Sequence, residues 1–173
     1  MPLFKKAICF FIPLLFFSCH GGDKYKLAAY GEHLEKIVKT EEGIFRGLYL
    51  GMALKNVKEK ETIGLSDEDS SYLYYEIPLD SSNSFTLAYD FDEKGLKEIQ
   101  SDVFMKNEDQ FNELLNKFKM YFDDKYGKAE NANGFWVWAK KAEKEDNIKI
   151  TLTDESSDFQ YNKLSLNVYN ADY

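Results

Sequence analysis

Few side chains in this sequence can do covalent or coordination chemistry. The cysteines are Cys9 and Cys19, and the histidines are His20 and His33. Neither histidine stands at the spacing to other ligands that metal sites and hydrolytic triads use. Asp90-x-Asp92-x-Lys94-Gly95 has the opening spacing of a calcium loop. It fails at position five, Lys94, and at position twelve, Ser101, where a bidentate glutamate is needed. A solvated hairpin turn is expected there, and Asp67-Glu68-Asp69 is read as a charged loop. Acidic residues number 30, which makes any chosen pair for acid–base work arbitrary. No glycine-rich phosphate loop or dinucleotide fingerprint occurs, so neither a cofactor nor an enzyme is expected. A carboxylate-dependent hydrolase is the remote alternative.

The aromatic residues offer binding chemistry instead. Trp136 and Trp138 are two apart, so on a strand they point to one side. Facing outward, they would join Tyr72, Tyr74 and Tyr169 as a surface for a peptide, glycan or protein partner. Facing inward, the tryptophans are core; Phe135, Val137 and Ala139 make an equally apolar row on the other side.

Cys19 carries a more specific signal. Met1 to Lys6 is short and basic, and Ala7 to Phe17 is an apolar run followed by a small residue and a cysteine. The run is about ten residues, half of what a membrane-spanning helix needs. Phe16-Phe17-Ser18-Cys19 resembles the lipobox of bacterial lipoproteins, with Phe16 where leucine is usual and Phe17 where a small residue is commoner. The resemblance implies a signal peptide over 1–18, cleavage before Cys19 and diacylglyceryl transfer to its thiol. It also implies a spacer over 19–23 and attachment to the bacterial cell envelope. His20 to Asp23 would reach on the order of 13 Å from the lipid at about 3.3 Å per residue.

After such processing no thiol remains to form a disulfide, a zinc site or a catalytic nucleophile. The chain would hold 20 Lys plus Arg against 30 Asp plus Glu, a net charge of −10, with Arg46 its only arginine. Nucleic acid is therefore a poor partner. The expected partners are the membrane, through the N-terminal lipid, and a protein of the envelope.

The elements that would position these residues form one α+β domain over 24–173. Leu27, Tyr30, Leu34, Ile37 and Val38 recur at helical steps between Lys24 and Glu41. Leu54, Val57 and Glu61 share a face of a short helix from Ala53 to about Glu61. Leu50-Gly51-Met52 with Val57 resembles a pattern in small envelope lipoproteins, including β-lactamase-inhibitor-protein-like modules, where it opens a helix.

Strands are predicted over Tyr72–Ile77, Phe85–Phe91 and Leu96–Phe104. Asn107 to Gln110 is a capping box, and Phe111, Leu114, Leu115, Phe118, Tyr121, Phe122 and Tyr126 form the stripe of a helix of about twenty residues. Gly127 stands at the place of a left-handed C-terminal cap. Asn131 to Gly134 reads as a turn, followed by strands at Phe135–Ala139, Ile148–Thr153 and Lys163–Tyr169. Segments 50–105 and 107–170 both read as a helix and three strands, a possible α-β-β-β duplication. The expectation is an antiparallel sheet of about six strands with helices on one face.

Overall fold

The computed structural model describes residues 26–132, 134–141, 147–158 and 161–172. Cys9, the Phe16–Cys19 segment, His20 and the spacer through Asp23 lie outside them.

The class is α+β, with one antiparallel sheet of eight strands rather than about six. A 3-10 turn at Leu27–Tyr30 precedes α1 (Glu32–Val38) and α2 (Leu54–Lys60). Then follow β1 (Asp67–Glu68), β2 (Tyr72–Pro78), β3 (Ser84–Asp92) and β4 (Gly95–Met105). Helix α3 (Glu108–Tyr126) leads to β5 (Glu130–Ala132), β6 (Phe135–Lys141), β7 (Asn147–Asp154) and β8 (Asn162–Asn170). The strand order is β1-β2-β3-β4-β8-β7-β6-β5, so two meanders meet along β4 and β8. The strands not foreseen are β1 and β5, of two and three residues. They are too short for alternation to show, and their polar residues suit the sheet edges they occupy. Each half therefore has four strands, not three, and part of the expected turn at Asn131 belongs to β5.

The helices lie on one face because their apolar stripes have nowhere else to go. In α3, Phe111, Leu114, Leu115, Phe118, Tyr121 and Phe122 are buried, and burial of each such side chain contributes about 1.5–3 kcal/mol. Asn107 Oδ1 accepts from the Gln110 backbone N–H at 2.9 Å and starts the helix. Gly127 ends it at φ 93°, ψ −179°, an extended positive-φ conformation rather than the left-handed helical one. The helix expected across 24–41 is broken at Gly31, yet Leu27, Tyr30, Leu34, Ile37 and Val38 are all buried in the shared core. Tyr30 holds this segment to α3 by an edge contact with Tyr121 at 5.4 Å and a hydrogen bond donated to Asp124 Oδ2 at 2.6 Å.

The Leu50-Gly51-Met52 segment is tied to the start of β4. Gly51 N–H donates to Leu96 O and Leu96 N–H to Met52 O, both at 2.8 Å. Gly95, at φ 107°, has the carbonyls of Gly51 and Met52 where a Cβ would stand, so no side chain fits there.

Candidate functional site

The sheet's open face is the candidate site. It receives the outward side chains of β2, β3, β4 and β8, and the registers fix which those are. Tyr74 stands opposite Ala88, which stands opposite Gln100, then Asn167 and Thr151. The parallel row through Tyr72 runs Tyr72, Asp90, Glu98, Tyr169, Lys149. Tyr72, Tyr74 and Tyr169 thus share this face.

Trp138 does not join them. Its row is Leu73, Tyr89, Ile99, Val168, Ile150, Trp138, which is core throughout. The indole lies 5.2 Å from the Phe122 ring and its Nε1 donates to Asp123 Oδ1 at 3.0 Å. Trp136 shares that side, half-buried, with Lys119 Nζ 4.6 Å from its ring centroid. The surface expected from five aromatics therefore divides into three tyrosines on the open face and two tryptophans beneath α3. Val137 and Phe135 left either side of β6 apolar enough to be inward; α3 settles the matter by covering the tryptophan side.

The Tyr72 and Tyr74 rings stack at 6.1 Å and 12°. They wall one end of a groove of about 740 Å³ that also takes in Glu76, Thr86, Asp90, Asp102 and Phe104. Burial, then neighbouring negative charge or phenol, pushes both tyrosine hydroxyls above their usual pKa. At neutral pH they are protonated and able to donate. Asp102 is engaged: Ser165 Oγ donates to it at 2.6 Å, and Lys163 Nζ lies 3.2 Å from it and 2.7 Å from Glu155. Among the described residues, Glu76, Asp90 and Glu98 make no ion pair. Burial first, and then the charge of Asp90, raise the Glu98 carboxyl above its ordinary range. The groove can stack, donate from phenols and attract positive charge.

The other chemically capable groups are spoken for. Asp92 Oδ1 accepts from the Lys94 backbone at 2.7 Å, making a hairpin turn where the calcium spacing stood. His33, without a partner in sequence, lies 3.1 Å from Asp80 across the fold. The Asp67-Glu68 segment is β1, and Glu68 pairs with Lys58 of α2. No group of three or more His, Cys, Asp or Glu able to hold a metal occurs among the described residues.

A buried polar cluster was not foreseen. Arg46 and Glu61 are 2% and 5% exposed and meet through both forks of the guanidinium: Nε to Oε1 at 2.7 Å and Nη2 to Oε2 at 2.8 Å. Arg46 Nη1 donates to Ile37 O at 2.6 Å, and the Tyr89 hydroxyl donates to Glu61 Oε1 at 2.6 Å. Burial opposes charge on both partners, but their mutual hydrogen bonds and attraction prevail, holding Glu61 below and Arg46 above its ordinary pKa. The signal was present: the lone arginine sits between Phe45 and Gly47, and Glu61 follows Leu54 and Val57 on the inward side of α2. With its hydrogen bonds made internally, the cluster fastens α1, α2 and β3 together rather than meeting a ligand. No family model, curated protein or solved structure matches this chain.

Proposed function

We propose that the protein is a lipid-anchored bacterial envelope protein whose domain is a non-catalytic protein-binding or structural module, used through its open sheet face. The observation that carries this is the division of the sheet. One face is filled by the helices, while on the other no described residue covers the stacked tyrosine pair or the groove of about 740 Å³. The same face would serve the alternative of glycan or peptide binding, using Tyr72, Tyr74 and Tyr169 rather than the tryptophans. Two helix-and-four-strand halves joined at β4 and β8 support a tandem duplication of one unit. The start of α2 just after Leu50-Gly51-Met52, with Val57 buried, supports the likeness to envelope-lipoprotein modules.

Anchoring rests on the basic, apolar and Ser18-Cys19 segments of the sequence. Among the described residues no helix is long and apolar enough to cross a membrane. Each buried acyl methylene contributes about 0.8 kcal/mol, so two or three chains on one cysteine hold firmly where one holds marginally. Cys19→Ser is expected to move the protein from the membrane to the soluble fraction; persistence in the membrane fraction would refute lipidation.

Binding is tested by a photo-crosslinking residue at Thr86, inside the groove, compared with one at Asn112, exposed on α3. In intact envelopes, position 86 is expected to give a discrete adduct that position 112 does not. Equal labelling from both positions, or none from 86, would sink the proposal.

A further inference from the structure

We propose that the open face seats a basic segment of a partner protein, one that presents lysine or arginine side chains to the row Tyr72, Asp90, Glu98, Tyr169. This rests on the binding-module proposal above and supplies the chemistry of the partner.

The row crosses β2, β3, β4 and β8 in direct register, with two carboxylates side by side and a phenol at each end. Like charges directly opposed across a strand pair are destabilising. Asp90 and Glu98 nevertheless occupy such a pair, and neither has an ion pair among the described residues. Three lysines lie beside the row or on neighbouring strands. Lys97 neighbours Glu98 in sequence and offsets its environment only in part, since burial and Asp90 still raise that carboxyl. Lys149 lies beyond Tyr169 on β7. Lys163 is held by Asp102 and Glu155. A cation delivered from outside would relieve the opposition between the two acids.

The tyrosines say which kind of cation. An ammonium or guanidinium gains from a ring face within about 6 Å, and most when partly desolvated. The Tyr72–Tyr74 stack presents such a surface beside Asp90 and Glu76 in the same groove. A bare divalent ion would need more oxygen ligands than two carboxylates. An oligosaccharide would use the ring faces but gain nothing from the unpaired charge, so the charge favours the basic peptide. A second copy of this acidic chain is disfavoured by the same sign.

The test is calorimetric titration of the full-length chain in detergent. The probes are a short glycine-serine peptide with arginines at alternate positions, the same peptide with glutamates instead, and a chitin-type oligosaccharide. The arginine peptide is expected to bind and to weaken as salt is raised. Asp90→Asn/Glu98→Gln is expected to weaken it about tenfold and to flatten the salt dependence. Tyr72→Ala should weaken it independently. The double variant loses a repulsion, so its melting temperature should be no lower than that of the unchanged protein, and reduced binding cannot then be ascribed to misfolding.

Equal affinity in the double variant, binding of the glutamate peptide, or binding of the oligosaccharide alone would overturn the proposal. If Thr86 crosslinks a partner while the arginine peptide fails to bind, the basic-segment proposal falls and the binding-module proposal stands. If both fail, both fall.

Discussion

Replacing Arg46 by methionine is expected to lower the unfolding free energy by about 3–5 kcal/mol, because it strands the Glu61 carboxylate in the core. That corresponds to roughly 6–20 °C in melting temperature for a domain of this size. The Tyr89 hydroxyl donates to Glu61 Oε1 and Lys39 Nζ lies 3.4 Å from Oε2, but a phenol and one long contact from a partly exposed ammonium do not replace a bidentate guanidinium. Joint replacement by Arg46→Met and Glu61→Leu should recover much of the loss, since a matched apolar pair removes both desolvation costs. Urea denaturation measures both. A single variant within about 1 kcal/mol of wild type would mean that the pair is more hydrated than its burial indicates.

The pair also sets a direction with pH. Glu61 is held below its ordinary value of 4.5 in the folded protein. As pH falls, the unfolded chain takes up this proton first, so the contribution is full above about 4.5 and is lost as pH drops through the folded value. In Arg46→Met the buried carboxyl is expected to rise above 4.5 instead, and protonation then favours folding. The stability gap between wild type and variant should narrow on acidification. A gap constant down to the acid transition would argue against a charged pair.

Trp138→Ala is expected to cost about 3–5 kcal/mol, the usual range for removing a buried indole. The side chain is 1% exposed and packs against Phe122 under α3. Its loss also takes one donor from Asp123 Oδ1, which is left with the Ala129 backbone N–H, while Lys128 holds Oδ2. Trp138→Phe keeps ring contact and removes the donor, so about 1–2 kcal/mol is expected. Chemical denaturation separates the two. Trp136→Ala, at a half-buried site, should cost less than Trp138→Ala; the reverse order would mean that the register of β6 is shifted by a pleat.

What could be seen in the sequence was whatever repeats with a regular period. The alternation of Phe85, Leu87 and Tyr89 fixed the inward side of β3, and the α3 stripe marked all the side chains that helix buries. The Asn107 cap was likewise visible, because a short polar residue beside free backbone N–H groups has a local cause. Contacts between distant segments left weaker traces. The break at Gly31 preserves its apolar stripe and so hides within a helical pattern. The two-residue spacing puts Trp136 and Trp138 on one side, but which side is set by α3, which follows its own stripe.

The candidate site was legible in part. Tyr72 and Tyr74 stand out in the sequence, whereas Asp90 reads as one polar residue on the wet side of its strand and Glu98 as one acid among many. Their opposition exists only once β3 and β4 are in register. Arg46 and Glu61 are fifteen residues apart; the α2 period points Glu61 inward with Leu54 and Val57, but the irregular stretch before that helix gives no period by which to pair it with Arg46.

The seam between β4 and β8 has a consequence for how the chain is made. Of the eight strands, β8 is the last synthesised, yet it lies at the centre of the sheet. The β2–β3–β4 meander closes through short turns and can form early, while pairing such as Val103 with Leu164 must wait for a segment some sixty residues on. During that interval β4 is an open edge carrying Val103, Phe104 and Met105, the kind of edge on which chains aggregate. The order of synthesis and the order of the sheet run against each other, and the nascent protein is most vulnerable along the line where the finished one is best joined.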